Sequence, residues 1–233
     1  MKIMDDLFSD SRICDQTLSR SDVEKLSVTS SPVHLVGCNM EDSDLARLSL
    51  PGWIFERCNL RRTDFSGAML EAAQWLSCRG AFATFSGANL AEAVFKSSDF
   101  NNAVLRRSTL VSASFDSCKL TGADLSEAKA FGIRFSETLL INAKLPGYDF
   151  KKQTLYNLDL GQADLRKCDF RATVFDECSL RDANMTGSRF EDADLRRADL
   201  GGLRLLDAAQ FRGATISREQ AGQLLGELGL DVR

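Results

Sequence analysis

A chain of 233 residues that is 44% hydrophobic and 27% charged can bury a sizeable core, and its length suits one large domain or two small ones. Its net charge of −4 leaves no basic excess for neutralising phosphates, so direct binding to nucleic acid is not expected. Asp5 and Asp6 stand where a signal peptide carries bases, and no later run is apolar enough to span a bilayer; the expected location is the cytoplasm.

From the N-terminus, Phe8, Ile13, Leu18, Val23 and Val28 recur every five residues. Five fits neither regular period. On an α-helix it turns the chain by about 500°, so no apolar stripe forms. On a strand an odd spacing sends successive side chains to opposite faces. The spacing is consistent only if the chain turns a corner every five residues and sends one large side chain inward from each side of a coil. Between Val28 and Leu35 the step is seven residues, through Pro32 and the only histidine, His34. This register shift marks 29–34 as a candidate projecting loop.

From Leu35 to Leu205 the inward position falls on every multiple of five, and only Met40, Trp75, Gly80, Ala130 and Met185 are neither Leu nor Phe. Two residues earlier the side chain is usually small, as at Ala68, Ala88 and Ala123. Two residues later glycine recurs, as at Gly67. Phe65-Ser66-Gly67-Ala68 then reads as a type II turn with positive φ at Gly67. A longer period of twenty is also present. Phe55, Trp75, Phe95, Phe115, Phe135 and Phe175 fall in one column, and Cys38, Cys58, Cys78, Cys118 and Cys178 in another. Four corners therefore close one coil, and stacked coils rise by about 4.8 Å, the spacing of paired strands. The lattice has defects. Gly80 and Ala130 leave inward positions empty, with Phe82 and Phe131 nearby, while Leu48, Trp53, Ile133, Tyr148 and Leu158 overfill small positions.

The period changes after residue 213. Ala221, Leu224, Leu225 and Leu228 lie at i, i+3, i+4 and i+7, one face of a helix. Ser217 with Gln220 reads as a capping box, and Gly229 as a C′ stop with Leu230 folding back. The division is thus a solenoid over 1–213 and a helical cap over 214–233.

No catalytic constellation is visible. Any nucleophilic mechanism that needs a histidine must pass through His34. The aspartates before the inward position follow the repeat, which suits turn hydrogen bonds. The cysteine column lacks a CxxC pair and points inward, so it reads as buried thiols with no metal. Cys14 lies off the column. No cofactor is expected.

The units GADLS, QADLR and DADLR resemble the pentapeptide-repeat family, and that resemblance implies an all-β solenoid, a right-handed quadrilateral β-helix, here with a short C-terminal α-helix. The two ends are similar to the topoisomerase-interacting subgroup, which includes the Qnr quinolone-resistance, mycobacterial fluoroquinolone-resistance and albicidin-resistance proteins. The residues carrying that likeness are the N-terminal register with Gly37-Cys38-Asn39, then Phe131-Gly132-Ile133-Arg134-Phe135, Gln220-Ala221, Leu224-Leu225 and Leu228-Gly229-Leu230. The resemblance implies a non-enzymatic protein that binds DNA gyrase or topoisomerase IV and protects it from a quinolone-like drug or toxin, by mimicking duplex DNA. It also implies a homodimer joined through Ala221, Leu224, Leu225, Leu228 and Leu230. The alternative is an immunity or regulatory scaffold for another protein. Candidate partner contacts are Pro32, His34, Trp75, Leu76, Phe82 and Phe131. The charge pattern does not favour mimicry: residues 34–207 carry 24 acids and 22 bases, and basic pairs such as Arg61-Arg62 and Arg196-Arg197 interrupt any acidic stripe.

Overall fold

The computed structural model describes residues 12–28, 32–203, 209–227 and 229–231. The chain winds as a four-sided parallel β-solenoid of about nine turns. One side carries every regular strand: β1 (Arg12–Cys14), β2 (His34–Val36), β3 (Ile54–Glu56), β4 (Gln74–Leu76), β5 (Val94–Lys96), β6 (Ser114–Asp116), β7 (Arg134–Ser136), β8 (Thr154–Tyr156), β9 (Val174–Ser179) and β10 (Asp194–Asp199). They form a single ten-stranded parallel sheet in sequence order. From β2 onward the register is twenty, as in Phe55 opposite Trp75 and Phe95 opposite Phe115. The other three sides are tied by isolated parallel bridges at the same offset, such as Asp44 with Asp64 and Ser49 with Met69.

Inside, the column of period twenty becomes a stack of rings. Trp75 lies 4.3 Å from Phe95 with planes 4° apart, and Phe95 lies 4.5 Å from Phe115. A second stack runs Phe150, Phe170, Phe190, Phe211 at 5.2, 4.8 and 4.8 Å. Its last step is twenty-one residues, so the lattice gains one residue before the final coil. Burial of each inward Leu or Phe contributes about 1.5–3 kcal/mol.

Corners turn through a left-handed residue two places after the inward one. Gly67 has φ +65° and Ala68 N–H donates to Phe65 O at 3.0 Å, as the turn reading requires. Most such positions are not glycine. On the strand side the corner has no hydrogen bond of this kind, and thiols or hydroxyls replace it. Cys78 Sγ reaches Phe55 O at 3.1 Å, Ser98 Oγ reaches Trp75 O at 3.2 Å and Thr138 Oγ1 reaches Phe115 O at 3.3 Å. The cysteine column is therefore a hydrogen-bonding column that Ser and Thr also fill.

Two N-terminal expectations are corrected. Val23 and Val28 do not continue the coil, because Arg20–Ser27 forms helix α1. Ser19 and Asp22 make a reciprocal capping box, with Ser19 N–H donating to Asp22 Oδ2 at 3.0 Å. Val23 is then buried while Val28 is exposed. Phe8 lies outside the described residues. Nor is His34 in a loop: it opens β2, with Nε2 3.0 Å from Glu56 Oε2. Residues 29–31 lie outside the described set.

At the other end, Arg218–Glu227 forms α2. Its capping box is present: Ser217 N–H donates to Gln220 Oε1 at 2.6 Å, and Gln220 N–H donates to Ser217 Oγ at 3.1 Å. The Gln220 amide also donates to Leu195 O and Ala198 O, both at 2.7 Å, so the helix caps carbonyls of the last coil. Gly229 is left-handed and Leu230 N–H returns to Leu225 O at 3.0 Å, closing the helix as a Schellman turn.

Gly80 is no vacancy. A Cβ there would lie 2.0 Å from Cε1 of Phe100, whose ring fills the space. Gly80→Leu, although it restores the repeat's preferred residue, should lower unfolding free energy by about 1–3 kcal/mol in urea titration. Leu120→Asp should abolish cooperative unfolding of the coils around it, whereas Asn102→Asp on the exposed corner should leave the midpoint unchanged.

Candidate interaction surface

A solenoid of this kind presents its chemistry on flat sides and corners, so the site question becomes which outward side chains are neither neutralised nor buried. Many carboxylates are paired with arginines. Arg62 holds Asp42 at 2.6 Å and Glu41 at 2.7 Å; Arg106 and Arg107 hold Glu127 at 2.7 and 2.8 Å. Within single corners, Arg166 binds Asp164 at 2.7 Å and Arg196 binds Asp194 at 2.6 Å. Hydrogen bonds from these guanidinium groups hold the carboxyls of Asp42, Glu127, Asp164 and Asp194 below the usual carboxylate range. Exposed pairs of this type stabilise the fold little, but they remove the charge that an acidic face would need.

The candidate contacts separate into three groups. Trp75 is corrected: it is fully buried between Phe55 and Phe95, with Phe65 and Phe85 edge-on, and offers no surface. His34 and Leu76 are half-buried on the outer side of the strand face, and Pro32 is exposed beside Gly52. Phe82 and Phe131 are 55% and 81% exposed, apolar side chains open to solvent. They project from different corners and do not form one patch. Phe82 is also strained, because it adopts φ +63°, a region that bulky side chains avoid.

In the tail, the proposed dimer face divides. Leu224 is 7% exposed, whereas Leu225 and Leu230 are 38% and 56% exposed. Ala221 is half-buried, and Leu228 lies outside the described residues. Ile216, which the sequence reading passed over, is 38% exposed; its place just outside a helix start was the available signal.

For chemistry, the side chains of His34 and Glu56 have no hydroxyl or thiol hydrogen-bonded to them among the described residues. No cluster of metal-ligating side chains occurs among the described residues, and no described helix is long and apolar enough to cross a membrane. Cys14 is exposed and the other six cysteines are buried, all as free thiols. Burial pushes Cys118 and Cys178 up to about 11 and Cys168 to about 12.

The four-sided solenoid is a repeat-built fold that typically serves as a non-catalytic binding scaffold, and a family model matches its repeats. Pentapeptide repeats match in eight copies over residues 38–74, 81–110, 88–127, 133–171 and 163–202, and the chain belongs to the pentapeptide-repeat family. Among solved structures it is similar to trypsin-treated QnrB1, a plasmid-mediated fluoroquinolone resistance protein, at 23% identity and TM-score 0.72, covering 86% of this chain and 99% of that one. Full-length QnrB1 matches at 20% identity and TM-score 0.63, covering 94% and 97%. HetL, a pentapeptide repeat protein involved in heterocyst differentiation regulation from the cyanobacterium Nostoc, matches at 21% identity and TM-score 0.43, covering 80% and 86%. At these identities the likeness concerns the fold. No curated protein matches the chain.

Two measurements check this account. In native protein at pH 8, a thiol reagent should modify Cys14 alone, because the other six thiols are buried out of its reach; unfolding should expose all seven cysteines. Phe82→Asn, which accepts positive φ more readily, should raise unfolding free energy by about 0.5–1 kcal/mol by urea titration.

Proposed function

We propose that this protein is a non-enzymatic scaffold that engages DNA gyrase or topoisomerase IV and protects it from a quinolone-like drug or toxin. The observation carrying this reading is the match over 99% of the trypsin-treated QnrB1 chain, itself a fluoroquinolone resistance protein, at a TM-score of 0.72. The subgroup likeness of both chain ends supports it. The mode of binding differs from electrostatic mimicry, because residues 34–207 carry 24 acids against 22 bases and many of the carboxylates are paired with arginines. Shape and a few apolar contacts then dominate. Leu225 and Leu230, exposed at one end, are the surface through which two copies would join into a longer rod.

A second reading, a scaffold for immunity or regulation with another protein partner, is supported by the exposure of Phe82 and Phe131. Quinolone-stimulated DNA cleavage by gyrase, titrated with this protein, separates the two. The topoisomerase reading expects cleavage to fall as the protein is added. The effect should change little as salt rises through the range where exposed charges are screened beyond about 10 Å. Unchanged cleavage at saturating protein transfers the assignment to the other-partner scaffold. Steep loss of protection with salt would restore charge mimicry. Leu225→Arg should yield a folded monomer by light scattering where the wild type is a dimer; a wild type that is monomeric at micromolar concentration makes the tail a cap only.

A further inference from the structure

The backbone ladder between successive coils opens at one place. Elsewhere from Met40 to Leu180 the inward, left-handed and bridging residues bond the neighbouring coil in a regular pattern, as in Leu110 N–H to Lys129 O at 2.8 Å and Ser112 N–H to Phe131 O at 2.9 Å. The same bonds one coil later are absent. Glu127, Ala130 and Gly132 donate nothing to Pro146, Asp149 and Lys151, and Asp149 and Thr154 donate nothing to Ala128 and Ile133. β7 meets β8 only at Ser136 with Tyr156, where every earlier strand pair from β1 onward has three partners.

The sequence accounts for the opening. Ile133 and Tyr148 overfill small positions, and the Tyr148 hydroxyl wedges across to Leu125 O at 3.0 Å. Gln153, also at a small position, turns its amide onto Asp149 O at 3.3 Å, taking the acceptor that Ala130 would have used. Leu48, Trp53 and Leu158 overfill equivalent positions without breaking the ladder, so Tyr148, Gln153 and Ile133 together mark the site. A cavity of about 670 Å³ results, floored by Phe115, Ile133 and Phe135 and walled by Arg134, Thr154 and Tyr156. That volume lies within the usual range of binding pockets.

Three properties of the opening converge on one ligand chemistry. Backbone N–H and C=O groups without a partner on the neighbouring coil line the opening, and such groups are what an added extended strand pairs with. Lys129, Arg134, Lys151 and Lys152 lie along it and form no ion pair among the described residues, while nearby acids are engaged: Asp116, which lines the cavity, by Lys96 at 3.9 Å, Asp149 by the Lys151 N–H, Asp169 by Arg171, Glu127 by Arg106 and Arg107. Phe131 is 81% exposed at the lip, and Tyr156 and Val174 are 41% and 39% exposed alongside. We propose that this opening binds an extended acidic peptide segment of a partner protein, through main-chain hydrogen bonds to 127–134 and 149–154, carboxylates on the four cations and apolar side chains against Phe131 and Tyr156.

The test uses fluorescein-labelled Glu-Val-Asp-Val-Glu-Val-Asp with the full chain, read by anisotropy and by amide exchange. The free protein should exchange the amides of Ala130, Gly132 and Thr154 much faster than those of Leu110, Ser112 and Arg134, and the peptide should slow them. Saturable binding should weaken about tenfold in Lys151→Glu/Lys152→Glu, and also when alternate peptide amides are N-methylated. Exchange at Ala130 and Gly132 as slow in the free protein as at Leu110 and Ser112 would show a closed ladder and overturn the proposal. So would lack of saturable binding, equal affinity of the N-methylated peptide, or equally tight binding of a thymidine heptanucleotide, which would make the site a general anion surface. None of these outcomes depends on whether gyrase is protected.

Discussion

Everything in this molecule depends on the backbone hydrogen bonds that tie each coil to the one twenty residues later. A five-residue side has too few residues to satisfy its own backbone, so each N–H and C=O must find a partner on the neighbouring coil. That requirement fixes the register, and the register brings like residues into columns. Trp75 can stack at 4.3 Å on Phe95 only because the ladder holds their backbones one strand spacing apart. Because every coil contacts chiefly its two neighbours, stability is close to a sum of interfaces along one dimension.

The sequence discloses this lattice well because one rule is repeated. Leu or Phe every fifth residue, and aromatics every twentieth, were enough to read four corners per coil and the stacked side. Where physics is local but not periodic, the reading was poorer. Gly80 looks empty in one dimension, yet the Phe100 ring that fills it comes from the next coil. The cysteine column read as small buried thiols, but its position is set by carbonyls that the strand-side corner leaves without a turn hydrogen bond, as at Cys78 and Phe55. Residues 20–27 keep the spacing of five through Val23 and Val28 while Ser19 and Asp22 start a helix. Two apolar residues five apart are weak evidence against a capping box, and the box prevails.

The surface was legible in charge but not in exposure. Counting acids and bases showed near-neutral sides, and the structure adds the reason why the balance is local: arginines lie on carboxylates of the same or adjacent corner, as in Arg166 with Asp164 and Arg62 with Asp42. Trp75 was read as a contact because it stands beside a defect, but a large aromatic at an inward position is core by default. Phe82 and Phe131 occupy outward positions, and both are exposed. Position within the repeat, not residue type, decides which aromatic meets solvent.

Both ends of the stack face the problem of an edge with unpaired backbone, and near the N-terminal end Arg20 of α1 donates to Asp44 O and Ala46 O. At the C-terminal end the Gln220 amide occupies Leu195 O and Ala198 O, so the helix consumes acceptors that another strand could have used. The interior opening at 127–134 and 149–154 is different, because Tyr148 and Gln153 hold it open and cover little of its backbone. The stack tolerates that opening because its borders are bonded. Leu125 N–H meets Lys144 O at 3.0 Å on one side and Glu137 N–H meets Tyr156 O at 3.0 Å on the other. The coil before it remains fully paired through Leu110, Ser112 and Arg134. A loss confined to two adjacent sides of one interface leaves the remaining ladder in register, and the unpaired groups are presented on a rigid frame.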